Sequence, residues 1–210
     1  MSSNPDCKGW NEANMRQQDT SSLSGKFLIA MPGMGDVRFE RTVIYICAHS
    51  EEGAMGFIIN RTMEAPSVAN FLKQLEIVSK EESADIPERI LKQQMYVGGP
   101  VEPGRGFVIH TPEFTSDSTM QVSENVQLTA TLEILRAIAT GKGPEHCLLA
   151  LGYSGWGAGQ LEEEITSNGW LTCNAEDSII FDRANENKYD RALALLGVDS
   201  VLLSSDSGHA

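Results

Sequence analysis

The chain has 210 residues and a mass of 22.9 kDa, enough for one ordinary domain that buries a core without help from disulfides or metals. Sixteen Lys and Arg stand against twenty-nine Asp and Glu, a formal net charge of −13, which argues against a broad surface for nucleic acid or any other polyanion. At 41% apolar and 21% charged residues the composition is that of a globular protein rather than a disordered or membrane-spanning one.

In chain order, Met1 to Ser24 is polar and lacks the apolar centre of a signal peptide, so residues 1–24 are expected to form a mobile tail. Phe27 to Met31 reads as a buried strand running into the turn Pro32-Gly-Met-Gly-Asp36. Thr42 to Ala48 is rich in β-branched and aromatic residues, and Met55 to Ile59 follows after the turn Ser50 to Gly53, which suggests an antiparallel hairpin. With Pro66 at the first helical position, Val68, Phe71, Leu72 and Leu75 fall on one helix face. Ser79 to Lys92 is charge-rich and reads as an exposed excursion with a short helix after Pro87.

Met95 to Val97 and Gly106 to His110 read as two strands about a tight connection, and Met120 to Val122 as another. A helix over Thr131 to Thr140 turns Leu132, Leu135 and Ala139 inward, with Ile134 and Ile138 adjacent, and stops at Gly141. Cys147 to Leu151 is continuously apolar, as a central strand with both faces covered would be. The glycine-rich stretch Gly152 to Gly159 reads as a loop leading into a helix over Gln160 to Ser167. Trp170 to Cys173 and Ile179 to Phe181 read as short strands, and Tyr189, Ala192, Leu193 and Leu196 as the apolar face of a last helix ended by Gly197. This order predicts an α/β fold with a mixed sheet flanked by helices. It occupies a single domain over residues 25–203, with an exposed insertion near 79–92 and a flexible tail at 204–210.

Several strings together carry a resemblance: Gly25-Lys-Phe-Leu-Ile-Ala-Met-Pro32, Arg41-Thr-Val-Ile-Tyr-Ile-Cys47, Gly53-Ala-Met-Gly-Phe-Ile-Ile-Asn60, Gly98-Gly-Pro-Val-Glu102, Arg105-Gly-Phe-Val-Ile-His110, and Leu151-Gly-Tyr-Ser-Gly-Trp156 with Gly159-Gln-Leu-Glu162. In this order the chain resembles the YqgE/AlgH family of bacterial proteins from about Ser24 to the C-terminus. The resemblance implies an α/β-sandwich fold, a bacterial cytoplasmic protein and no established enzymatic activity. Some members are labelled transcriptional regulators, which describes a phenotype more than a mechanism. Residues 1–23 lie outside the match, and the insertion near Ser79 to Lys92 is longer than the family minimum.

The residues offer few catalytic constellations. The cysteines Cys7, Cys47, Cys147 and Cys173 have no CxxC spacing and the four histidines no close spacing, so neither a metal site nor a cofactor is indicated and the thiols read as reduced. Asn60-Arg61-Thr62 is formally a glycosylation sequon, without meaning in a chain that is not exported. Ser154 lacks the nucleophile-elbow pattern because Trp156 stands where glycine is required. The glycines from Gly152 to Gly159 have the wrong spacing for a phosphate cradle, and Glu162, Glu163 and Glu164 would repel a phosphate there. Cys47 and His49 alternate onto one strand face and His110 ends another strand, but no orienting carboxylate accompanies them.

Two binding hypotheses remain. Pro32, Met34, Tyr153, Trp156 and Gln160 are placed in loops beside glycine, where aromatic and Met side chains would suit a protein partner in an apolar cleft. The alternative is an anion site built from Arg41, Arg61 and Arg105, with Arg38 near by; Asp36, Glu40, Glu64 and Glu102 are at hand as competing ion-pair partners. The leading expectation is a cytoplasmic, non-enzymatic regulatory or interaction protein, followed by a small-molecule anion binder or enzyme. Direct DNA binding ranks last, since no helix carries a Lys/Arg face and no membrane association is indicated.

Overall fold

A computed structural model describes residues 22–78 and 86–199; the expectations for residues 1–21, 79–85 and 200–210 lie outside them. Among the described residues ten strands join one mixed sheet. They are β1 (Lys26–Ala30), β2 (Val43–Ser50), β3 (Gly53–Ile58), β4 (Thr62–Met63), β5 (Met95–Val97), β6 (Val101–His110), β7 (Met120–Gln121), β8 (Gln127–Thr129), β9 (Cys147–Gly157) and β10 (Trp170–Asn174). The helices are α1 (Val68–Gln74), α2 (Glu88–Leu91), α3 (Leu132–Ala139), α4 (Gln160–Thr166), α5 (Asp177–Ile180) and α6 (Lys188–Ala194). The strand order is β10-β1-β2-β3-β9-β6-β8-β7, with β5 pairing antiparallel to β4 and parallel to β9. The chain is thus of the α/β class, and β2 and β3 form the expected antiparallel hairpin.

Alternation along the strands separates the two faces. Phe27 and Ile29 of β1 join Tyr45, Phe57, Phe107 and Ile109 in a core closed by Ile179, Ile180, Tyr189 and Leu193 of α5 and α6. Leu28 and Ala30 face the other way, with Ile44, Ile46, Trp156, Trp170 and Leu161 of α4. Further along that second face, Val108, Leu149 and Leu151 pack against α1, α2 and α3. Leu171 and Cys173 of β10 and Met120 of β7 lie at opposite ends of the strand order, yet all pack on the same first core. The sheet therefore curls around that core. Asn125 Nδ2 beyond β7 donates to Asp177 Oδ2 of α5 at 2.9 Å across the curl.

Several sequence expectations are corrected. Ile179–Phe181 is not a strand: Asp177–Ile180 forms α5, both isoleucines being buried by one helical turn, and so short an apolar run carries no period that separates the alternatives. Pro66 lies outside α1, whose N-cap is Ser67; its hydroxyl accepts from Asn70 N at 3.3 Å. Leu75, Leu132 and Leu196, placed on inward faces, are each more than a third exposed, while Ile134 and Ile138 are buried. The stretch 86–92 contains the expected short helix, but Ile86 and Ile90 are buried rather than exposed.

The largest correction concerns Gly152 to Gly157, which continues β9 as a strand. Its Ser154–Gly157 portion pairs with β3, its Leu149–Leu151 portion with β5 along the same edge, and β6 runs along the other edge. Met95–Val97 and Val101–His110 therefore do not form a hairpin, because β9 lies between them. Gly98-Gly99-Pro100 must carry the chain across β9, backbone over backbone. A Cβ on Gly98 would sit 2.2 Å from the carbonyl oxygen of Gly152, and one on Gly99 2.2 Å from the carbonyl carbon of Tyr153. Gly152 is in the left-handed region (φ 70°), and a Cβ there would meet Gly99 O at 2.6 Å. The irregularity at Gly152 also shifts the alternation of β9, so Tyr153 packs with the α5–α6 core and Trp156 with the α4 core.

Candidate functional site

The predicted partner cleft is dispersed by the fold. Trp156 is 7% exposed and belongs to the core beneath α4, which removes it from any docking surface. Its indole stands edge-on to Trp170 at 6.0 Å, and both indole N–H groups donate to Glu164 Oε2, at 2.9 and 2.8 Å. Gln160 is exposed but serves α4: its Nε2 donates to Glu164 Oε1 and its Oε1 accepts from Gly157 N. Tyr153 is half-buried on the opposite face, edge-on to Phe107 at 5.8 Å. Pro32 is exposed on the β1–β2 connection, and the neighbouring Met34 leans on the α4 core. Replacing Glu164 with Ala leaves two buried indole donors without their acceptor and is expected to destabilise the fold by about 2 kcal/mol. Urea denaturation followed by tryptophan fluorescence measures the loss.

The arginines do not share a partner. Arg41 pairs with Asp190 at 3.1 Å and lies over the ring of Tyr189 at 4.5 Å. Arg61 donates to the carbonyl oxygens of Arg38 and Glu40, and Arg38 itself folds back on Asp36 at 2.7 Å. Arg38 holds the Asp36 carboxyl below the ordinary carboxylate range. Arg105 pairs with Glu102 at 3.0 Å and lies over the Phe107 ring at 5.0 Å. Arg41 and Arg61 thus secure the β1–β2 connection. Asn60 assists them: its Nδ2 donates to Arg41 O and its Oδ1 accepts from Val43 N, both at 2.9 Å.

The Cys47–His49 pairing fails for a local reason. The β2–β3 register shifts between Ile46 and Ala48, and a bulge of this kind reverses the alternation beyond it. Cys47 consequently faces the α5–α6 core, where burial pushes its thiol well up from the usual range, whereas His49 Nε2 meets Glu162 Oε1 of α4 at 2.6 Å. His49 Nδ1 accepts from Leu23 N at 3.1 Å, which leaves the ring proton on Nε2 to face the carboxylate. His110 is fully buried between Thr111 O and Thr129 Oγ1, at 2.8 and 2.9 Å, and burial depresses its pKa. Ser154 is buried, and its hydroxyl donates to Gly98 O at 3.3 Å, within the crossing. Among the described residues no group of three His, Cys, Asp or Glu is placed to hold a metal ion.

Lys188 escaped the sequence reading although its spacing showed it: four residues before Ala192, it occupies the apolar face of α6. Its side chain is fully buried, with Nζ donating to Ile59 O at 2.8 Å and Ile180 O at 2.9 Å, and 5.2 Å above the Tyr96 ring. Burial lowers its pKa to about 7, against a smaller opposing pull from Asp182. Beside it, Tyr96 Oη donates to Asn185 Oδ1 at 3.0 Å, and Asn185 Nδ2 to Gln94 Oε1 at 2.8 Å.

A groove does exist, away from the residues expected to form one. It runs between α1 and α3 over β6, encloses about 140 Å³, and is lined by Phe71, Leu75, Leu132 and Leu135 with Leu149 as part of its lining. Leu75 and Leu132 are 38% and 48% exposed. Arg105, Thr129 and Thr131 are among the residues that border it, with the Arg105 guanidinium turned over the Phe107 ring; the Thr131 hydroxyl oxygen is buried without a hydrogen-bond partner. Glycine at 106 keeps the floor low, since a Cβ would press on Phe71 Cζ at 3.0 Å. A broader depression by Ala65, Pro66 and Lys73 encloses about 540 Å³ but is shallow. Of the sequence-predicted site residues only Arg105 borders the groove.

Among the described residues no helix is long and apolar enough to cross a membrane. Residues 27–201 match the AlgH-like family. A UPF0301 protein of Agrobacterium fabrum is 51% identical over 196 residues, covering 93% of this chain and 97% of the relative. One from Rhizobium meliloti is 54% identical over 188 residues, covering 90% and 93%. The solution structure of AlgH from Pseudomonas aeruginosa is 42% identical with a TM-score of 0.74, covering 93% of this chain and all of that one. A crystal structure from Corynebacterium diphtheriae, at 20% identity and a TM-score of 0.62 over 84% of this chain and 88% of its own, shares the fold alone. Match, identity and architecture agree: the chain belongs to the AlgH-like family.

Proposed function

We propose that this chain is a non-enzymatic, cytoplasmic interaction protein that binds a protein partner through the shallow apolar groove between α1 and α3. The observation that carries the reading is the pair of exposed leucines, Leu75 and Leu132, on a concave apolar surface. Large apolar side chains at the mouth of a groove gain by being covered, at about 25 cal/mol per Å². The α/β-sandwich layering implied by the resemblance would serve this role as a rigid frame, with the helices of one layer holding the groove open. The regulatory label attached to some relatives then reflects the partner's action.

The groove is tested with immobilised protein and cell lysate, comparing the wild type with Leu132→Asp and with Leu195→Asp, an exposed leucine just beyond α6. A partner retained by wild type and Leu195→Asp but lost from Leu132→Asp is expected; identical capture by all three sinks the reading. Duplex DNA is expected to show no retardation in a gel shift even at low salt, because the net charge of −13 repels phosphate.

A further inference from the structure

We propose that His49 is a pH-operated latch, which holds the chain at Leu23 against the α4 side of the sheet while its ring is neutral and releases it when the ring takes a proton. The ring is bonded at both nitrogens: Nδ1 accepts from Leu23 N at 3.1 Å, and Nε2 donates to Glu162 Oε1 at 2.6 Å. Only the neutral tautomer with its proton on Nε2 can do both. An imidazolium carries a proton on Nδ1 as well, and that N–H would point at the Leu23 N–H with no acceptor between them. Docking of Leu23 and protonation of His49 therefore exclude each other.

Ahead of Gly25, among the described residues, the bond to His49 is the one hydrogen bond that reaches a neighbouring element. Leu23 O accepts from Lys26 N within the same turn, and Ser22 and Ser24 bond to one another. Gly25, fixed by its N–H to Ile46 O at 2.8 Å and left-handed at φ 77°, is the pivot. The Leu23 side chain packs at the margin of the α4 core, as do Met34, Phe39 and Ile165, so release uncovers apolar surface there. The charged groups beside the ring are acidic: Glu162 from α4, in contact, and Glu51 and Glu52 from the turn after β2. β3 sets Ala54 opposite His49, and β1 contributes Lys26, next to the Gly25 that bonds to Ile46, three positions back along β2. The carboxylates favour the imidazolium, while the Leu23 N–H and its apolar seat favour the neutral ring. Glu162 is ionised throughout, because a bond from its own backbone and the one from His49 hold its pKa below the ordinary carboxylate range. The latch lies apart from the groove between α1 and α3 and works whether or not that groove binds a partner.

The test is NMR on the ¹⁵N-labelled full chain from pH 8 to pH 5, the range in which an imidazole changes charge, following the His49 ring and the exchange of the Leu23 amide. After correction for intrinsic exchange, Leu23 is expected to lose about tenfold or more of its protection as the ring titrates, while Ile44 in the same core keeps its own. His49→Gln removes the titrating ring and should make Leu23 protection independent of pH, whether or not its amide restores the bond. Glu162→Gln should carry the ring titration and the Leu23 release together to lower pH, which keeps the test valid should His49→Gln fail to fold. Constant Leu23 protection while the ring titrates overturns the latch, as does a ring whose charge does not change between pH 8 and pH 5. Release persisting in His49→Gln, or separating from the ring titration in Glu162→Gln, assigns the event to another group and overturns it too.

Discussion

Replacing Gly98 or Gly99 with alanine is expected to destabilise the fold by about 3 kcal/mol or more, whereas Gly104→Ala should be nearly neutral. The added methyl at 98 or 99 would lie 2.2 Å from the backbone of β9, while one at 104 meets nothing within 4 Å. Overpacking of this kind typically costs about 1–3 kcal/mol when side chains can yield. Here the obstructing atoms are backbone of Gly152 and Tyr153, which can move only by parting β9 from β5 or β6. For a domain of this size about 3 kcal/mol lowers the melting temperature by roughly 6–12 °C. Calorimetry on the three variants decides the matter, and a Gly98→Ala melt matching Gly104→Ala would refute the close crossing.

The second large effect attaches to Lys188, where stability and pH are linked. An unfolded lysine titrates near 10.4, and the folded side chain, desolvated, near 7. Between these values the unfolded chain binds more protons than the native one, so this group's contribution to stability rises as pH rises from about 7 to about 10. Below pH 7 both states are protonated and the penalty of burying the ammonium is present in full. Lys188→Met removes the titration and leaves Ile59 O and Ile180 O without their donor. The variant is therefore expected to fall short of the wild type by roughly 2–3 kcal/mol at pH 9.5 and by much less at pH 6. Urea titrations of both proteins across this range measure the difference. A gap that stays constant with pH would mean that Lys188 keeps its ordinary protonation.

What the sequence made legible follows from where period and propensity suffice. β1, β2 and β3 are long enough for β-branched content to speak, and α3, α4 and α6 carry repeats of helical spacing. β4 and β8 are two and three residues long, too short for any alternation to register. The run from Gly152 to Gly157 misled because glycine marks close backbone approach as well as loops, and only the three-dimensional crossing tells which applies. From that error came the misplaced cleft: Tyr153 and Trp156 were assigned to a loop and are in a strand, one on each face. The bulge at Cys47 has no sequence mark at all, so the Cys47–His49 alternation was sound geometry applied to an irregular strand. The groove escaped notice because its apolar lining comes from α1 and α3, elements far from β6 in the sequence, and no local pattern joins them.

The position of β9 between β5 and β6 bears on how the chain is made. During synthesis on the ribosome, β3, β5 and β6 all emerge before the segment that pairs with them. Until β9 leaves the exit tunnel their edges remain unmatched, and the short bridge over the crossing can close only around a strand not yet delivered. Long-range pairing of this kind favours late, concerted assembly and leaves the growing polypeptide open to aberrant strand pairing. The stretch of synthesis just before β9 emerges is therefore the stage at which these three strands stand most open to wrong pairing.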